Sequence, residues 1–256
     1  MVQWVYWVWY AIGAILMLTI GVPEALSFSN GLFLVFYALC VLDLIYQKQN
    51  YRSDLSDQSV KWLRPGLWIS SFIIWLGGMG VEWIGVHTHW PFGEYAYSDF
   101  FGIHLFSVPV TLGFAWIAVV GNSALISGGG STWGGKLVRA LKTGFWAIVL
   151  DLVLDPVAHA RGFWEWQAPG GFYGVPWTNY ISWFIMGALL SLFLPAMPKD
   201  RRSLLRAKWL YQLFILLFGL LALKEGITGS FIIAIAGVLL AEGSWLYDPR
   251  RKVQSV

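Results

Sequence analysis

Asp151 and Asp155 stand four positions apart inside an otherwise apolar run. In a helix that spacing puts both carboxyls on one face, one turn apart. Two acids that close resist carrying two negative charges, and partial desolvation adds to the resistance. At least one is expected to keep its proton near neutral pH. A protonated carboxylic acid in an apolar setting is a usable general acid. The plainer reading is a pair of buried acids that bridge neighbouring helices. Two ionisable groups in one apolar segment exceed structural need, which favours the chemical reading. Pro156 follows directly; lacking an N–H, it is expected to kink or end the helix nearby.

Other polar groups gather toward the same side of the chain. Glu82 closes an earlier apolar run, and His104 opens the next. The connecting stretches hold His87, His89, Glu94, Asp99, His159 and Glu165, and Glu24 faces the same way. Histidine-plus-carboxylate clusters can bind zinc or iron. The spacing here matches no recognised ligand pattern and contains no H-E-x-x-H, so loop histidines hydrogen-bonded at an interface are the simpler reading. Trp83, Trp90, Trp164, Trp166, Trp177 and Trp183 lie in or beside this acidic region. Aromatic faces attract cations, and aromatics around a strong acid suit a cavity that makes a carbocation from an alkene. An ordinary interfacial belt is the competing account; Trp4, Trp7, Trp9 and Trp245 suit it.

The elements that hold these residues are set by composition. The chain has 256 residues, 57% hydrophobic and 12% charged, against about 25% charged in average soluble domains. Disorder is excluded by the apolar content. A net charge of +3 without a basic, aromatic-studded polar face argues against nucleic acid as a partner. The one cysteine, Cys40, lies in an apolar run, so there is no disulfide framework and no cysteine zinc site. An integral membrane protein remains.

A membrane-crossing helix needs about 20 mostly apolar residues. Eight candidate spans follow, near Trp4–Gly21, Asn30–Tyr46, Gly66–Trp83, Ile103–Leu125, Leu137–Val157, Thr178–Pro195, Lys208–Leu223 and Thr228–Tyr247. The first has no basic n-region and no small-residue cleavage site, so it reads as a retained helix. Basic residues follow spans two, four, six and eight; only Arg161 and Lys224 of the 17 Lys and Arg fall on the other side. The positive-inside rule then places both termini in the cytoplasm. Residues Gly128, Gly129, Gly130 and Ser131 read as a flexible cytoplasmic linker. The expected fold is an all-α, polytopic membrane bundle of about eight helices, one transmembrane domain over 1–256, in the cell membrane.

Two stretches carry a family resemblance. The first runs Glu82-Trp83-Ile84-Gly85-Val86-His87-Thr88-His89-Trp90-Pro91-Phe92-Gly93-Glu94-Tyr95-Ala96-Tyr97. The second runs Asp151-Leu152-Val153-Leu154-Asp155-Pro156-Val157-Ala158, then Gly162-Phe163-Trp164-Glu165-Trp166, then Tyr173-Gly174-Val175-Pro176, Asn179 and Trp183. Together they resemble the CruF-type carotenoid 1,2-hydratase family, which includes the bisanhydrobacterioruberin hydratases of halophilic archaea. The resemblance covers about residues 75–190. The family usually has Gly where this chain has His89, often a second Tyr where it has Phe172, and commonly a Gly where it has Ser107 before Val108-Pro109.

The resemblance implies addition of water to the terminal C1=C2 double bond of an acyclic carotenoid, giving a tertiary alcohol, with no cofactor. An acid protonates the less substituted carbon. Aromatic faces and carboxylates stabilise the tertiary cation, and a positioned water captures it. The catalytic set it implies is Asp151, Asp155, Glu82 and Glu165, with one of the two aspartates as donor and Glu82 orienting or deprotonating the water. The substrate-binding set is Trp83, Phe92, Tyr95, Tyr97, Trp164, Trp166, Tyr173, Asn179 and Trp183. Partners would be the polyene, membrane lipid and other enzymes of the pathway. Two alternatives stand beside it: a metal-dependent membrane hydrolase or oxygenase, and a small proton-coupled transporter. The transporter reading is weakened because the acids lie toward one surface rather than at the midplane between repeats.

Overall fold

The computed structural model describes residues 2–50, 65–128, 132–167, 170–195, 197 and 201–248. Among these, eight α-helices run in order: α1 Val2–Leu18, α2 Phe28–Asn50, α3 Pro65–Thr88, α4 Thr111–Ser127, α5 Trp133–Ala160, α6 Trp177–Ser191, α7 Arg201–Lys224 and α8 Thr228–Leu246. Helices α2, α3, α7 and α8 are long and apolar enough to cross a membrane, and α1 and α4 are shorter apolar helices. Large apolar side chains face outward in stripes at helical spacing, as in Trp177, Ile181, Ile185 and Leu189 of α6 and Phe72, Leu76 and Trp83 of α3. An apolar exterior of that extent belongs in lipid. The protein is an all-α membrane bundle. Residues Gly129, Gly130 and Ser131 of the expected linker lie outside the described residues, as do Arg52, Lys61, Arg64, Lys199, Arg250, Arg251 and Lys252.

Charged side chains fasten helix ends. The two basic residues expected on the acidic side are both engaged. Lys224 donates to the carbonyls of Met17, Leu18 and Thr19, and Arg161 reaches Met17 and pairs with Glu225 at 3.2 Å. These are the last carbonyls of α1, which have no partner within the helix and sit at its negative dipole end. Arg139 does the same for α6, donating to Ser191, Leu194 and Pro195. Lys208 pairs with Glu242 at 2.6 Å and lies over the rings of Trp209 and Trp245. Trp245 is therefore buried beneath a cation and does not join the interfacial belt.

Two helix starts differ most from expectation. Helix α4 starts at Thr111, not Ile103, because His104–Leu105 (β2) and Val108–Pro109 (β3) form a hairpin first. Helix α7 begins before Lys208, at Arg201; its first turns are too basic to register as apolar. Helix α5 runs through Pro156 and ends about one turn later, at Ala160. Proline cannot satisfy the carbonyl four residues back, which is that of Leu152. Ser230 of α8, fully buried, donates to that carbonyl at 2.9 Å. Ser230→Ala is expected to cost about 1–2 kcal/mol by orphaning it; thermal unfolding in detergent measures this.

The outer connections are not shapeless. Tyr95–Tyr97 (β1) pairs antiparallel with Trp164–Trp166 (β4), matching Tyr95 with Trp166 and Tyr97 with Trp164. Side chains alternate across a strand, so these four aromatics share one face and Ala96 and Glu165 share the other. His89, just beyond α3, has φ 61, and Ser107 in the β2–β3 turn has φ 68. Glycine suits both: the first is the left-handed residue that ends a helix, the second a turn position with φ above zero. Relief of the side-chain clash outweighs the entropy a glycine adds to the unfolded chain. His89→Gly and Ser107→Gly are each expected to stabilise by about 0.5–1 kcal/mol in the same melt.

Candidate active site

Helix α5 meets α6 through small residues. Gly144 and Ala147 lie on the same face of α5 as Asp151 and Asp155, at steps of three or four. Gly187, Trp183 and Asn179 form the matching face of α6. A Cβ on Gly144 would press into the Phe184 carbonyl, and one on Gly187 would meet Ala147. With the backbones this close, the short Asn179 side chain reaches both acids. Its amide nitrogen donates to Asp151 at 2.9 Å and also to Asp155. All three residues are buried.

Glu82 enters from α3. Its carboxyl accepts hydrogen bonds from the Tyr95 hydroxyl at 2.6 Å, the Tyr97 hydroxyl at 2.7 Å and the Trp116 indole at 3.0 Å. Glycines one turn on either side make this possible. A Cβ on Gly78 would overlap Trp116, and one on Gly85 would meet the Tyr95 hydroxyl and Phe92. Burial, with Glu82 beside them, holds the Tyr95 and Tyr97 phenols protonated, well above their ordinary range, so both remain donors. The β1–β4 ribbon lies over the cluster. Tyr95 packs on Trp166 at 4.8 Å and Tyr97 meets Trp164 edge-on at 5.9 Å. Thr178 and Ser182 of α6 donate to the carbonyls of Phe92 and Pro91, fixing the loop that supplies Phe92.

Two cavities adjoin. A small one is lined by Glu82, Asp155, Asn179, Tyr95, Tyr97 and Trp166, with Phe92 among its apolar walls. About 20 Å³ of it is open to the centre of a water molecule, which is room for one water. Among the described residues the indole N–H of Trp166, on its wall, is buried without a hydrogen-bond partner, while the Trp164 side chain interacts with Asp155. The larger cavity, only partly enclosed, lies among α2, α4, α5 and α7, with an almost wholly apolar surface and Asp151 in its wall. Leu112, Trp164 and Trp183 border both. Among the described residues, no Lys, Arg or His side chain pairs with Glu82, Asp151 or Asp155.

Of the residues singled out in the sequence, ten meet here: Glu82, Asp151, Asp155, Phe92, Tyr95, Tyr97, Trp164, Trp166, Asn179 and Trp183. Three do not. Glu165 is on the outer face of β4 and exposed, by the alternation of the strand. Trp83 belongs to the outward stripe of α3 and is 46% exposed. Tyr173 is 44% exposed, and its hydroxyl accepts from the Gly229 N–H at the start of α8. The histidines stay apart: His87 and His104 each lie 2.8 Å from a nearby backbone carbonyl, and His159 accepts from the backbone N–H of Trp166. Among the described residues no three His, Cys, Asp or Glu side chains gather as metal ligands. Trp116 was missed. It holds Glu82 and stacks on Trp183 at 4.0 Å and 9°. Its signal was Gly78, a small residue one turn before Glu82.

The sequence model of a family described as Carotenoid biosynthesis protein matches residues 29–243. The chain belongs to this family. A bisanhydrobacterioruberin hydratase of Haloarcula japonica is 38% identical over 126 residues, covering 44% of this chain and 39% of that protein. The match thus spans well under half of the relative's length. No solved structure matches the chain. The family match takes in every residue of the carboxyl cluster, all of which lie between 82 and 179.

Proposed function

We propose that this carotenoid biosynthesis protein is a hydratase that adds water across the terminal C1=C2 bond of an acyclic carotenoid. The observation that carries the proposal is the cluster of three buried carboxyls, unaccompanied by any cation among the described residues, between an apolar cavity and a cavity sized for one water. The name of the Haloarcula relative supports the same chemistry. Two carboxyls bridged by one amide share a proton more readily than they hold two negative charges. The Asp151–Asp155 pair is therefore the proton donor. Protonation of the less substituted alkene carbon leaves a tertiary cation, which the faces of Trp164 and Trp183 and the Glu82 carboxyl stabilise. Water bound beside Asp155 adds to the cation and loses its extra proton to a carboxylate. The reaction needs no cofactor. The polyene tail extends through the apolar cavity toward lipid. The protein is a multi-pass protein of the cell membrane, with both termini on the cytoplasmic side.

The test is product analysis. The chain is expressed in a bacterial host already making lycopene or a C30 analogue, and carotenoids are separated by liquid chromatography and weighed by mass spectrometry. A carotenoid heavier by one water is expected. Absence of any hydrated product with the protein confirmed in the membrane would overturn the proposal. Activity lost to a chelator, with stoichiometric metal in the purified protein, would favour the metal-dependent alternative.

A further inference from the structure

The geometry points to a division of labour within the aspartate pair: Asp151 protonates the alkene from the apolar cavity, and Asp155 takes the proton from the water in the polar one. The inference rests on the hydratase reading and goes further by assigning each acid one step. Asp151 lines the apolar cavity and not the polar one; Asp155 and Glu82 line the polar cavity and not the apolar one. A polyene end can be held only where the walls are apolar, so the acid it meets is Asp151. Water is held where hydrogen-bond partners converge, beside Asp155 and the indole N–H of Trp166, which has no partner among the described residues. Glu82 is already engaged by three donors, which leaves Asp155 as the water-side base.

The steps balance. The π electrons of the alkene form a C–H bond with the Asp151 proton, leaving Asp151 as carboxylate and a cation at the dimethyl carbon. An oxygen lone pair of the water forms the C–O bond. The surplus proton passes to Asp155, and the cycle closes when it returns to Asp151 across the pair that Asn179 bridges. Trp183 and Trp164 stand between the two cavities, where the cation forms.

Deuterium separates the two steps. Full-length protein in lycopene-containing membranes is incubated in D2O, and both hydrated product and recovered lycopene are weighed. In Asp155→Asn, product is expected to fall at least about 10²-fold, while recovered lycopene still gains deuterium, because protonation remains reversible. Asp151→Asn is expected to lose both. Size exclusion in detergent checks that each variant is folded. Ala118→Leu, which fills the apolar cavity away from the acids, is a second probe and is also expected to lose both. Deuterium uptake that survives in Asp151→Asn or in Ala118→Leu, or vanishes in folded Asp155→Asn, would overturn the division of labour. A wild-type protein that hydrates neither lycopene nor the C30 analogue overturns the hydratase reading itself.

Discussion

Turnover of the Asp155→Asn protein is expected to fall by about 10²–10⁴-fold, the range that positioned acid–base groups contribute. The substitution keeps the shape of the side chain, so the α5–α6 contact survives. What it removes is a group able to take and release a proton. Asn179 now faces one carboxyl and one amide instead of two carboxyls, and Asp151 keeps a proton to give but has no partner that takes one from water and hands it back. The loss belongs in kcat rather than KM, because the apolar cavity that would hold the polyene is bounded by other residues. The measurement is hydrated carotenoid formed per unit of membrane protein, at several substrate levels. If Asp151→Asn and Asp155→Asn both kept full turnover in well-expressed protein, the acids would have no part in the chemistry.

Glu82→Leu should be the most damaging single change to stability. Three donors converge on that carboxyl, from the Tyr95 and Tyr97 hydroxyls and the Trp116 indole. Leucine fits the space and accepts nothing. Each buried donor left unsatisfied costs about 1–3 kcal/mol. The three act on one group and do not add independently, so a loss of about 3–6 kcal/mol is expected. That is a large share of the usual 5–15 kcal/mol of folding stability. Glu82→Gln keeps one acceptor oxygen but aims an amide at the remaining donors, and should fall between. Thermal unfolding in detergent and membrane yield give the ranking. Equal stability of all three proteins would show that the Tyr95, Tyr97 and Trp116 donors find other partners.

Membrane residence and helical class follow from the sequence alone, because long apolar runs with few charges have no other stable environment. The Asp151–Asp155 pair was legible for a local reason: a four-residue step on a helix puts two side chains on one face whatever surrounds it. Glu165, Trp83 and Tyr173 enter the expected site through the family resemblance, which carries residue types and not directions. Neighbours on a strand or helix point in different directions: the pairing of β1 with β4 turns Glu165 outward, Trp83 belongs to the outward stripe of α3, and Tyr173 turns to the start of α8. Pro156 looked like a helix end because its missing N–H is a local fact; its remedy, Ser230, comes from another helix 74 positions later and could not be read locally.

The sequence determined that acids, aromatics and apolar helices would occupy one membrane protein, since composition and periodicity act within a few residues. Tertiary structure decided that Asn179 bridges the two aspartates, that Trp116 holds Glu82, and that the acids face two different cavities. Those facts depend on how closely helices approach. Gly144, Gly187 and Gly78 set that approach by the side chains they lack, and the meaning of an absent side chain appears only when another helix fills the space.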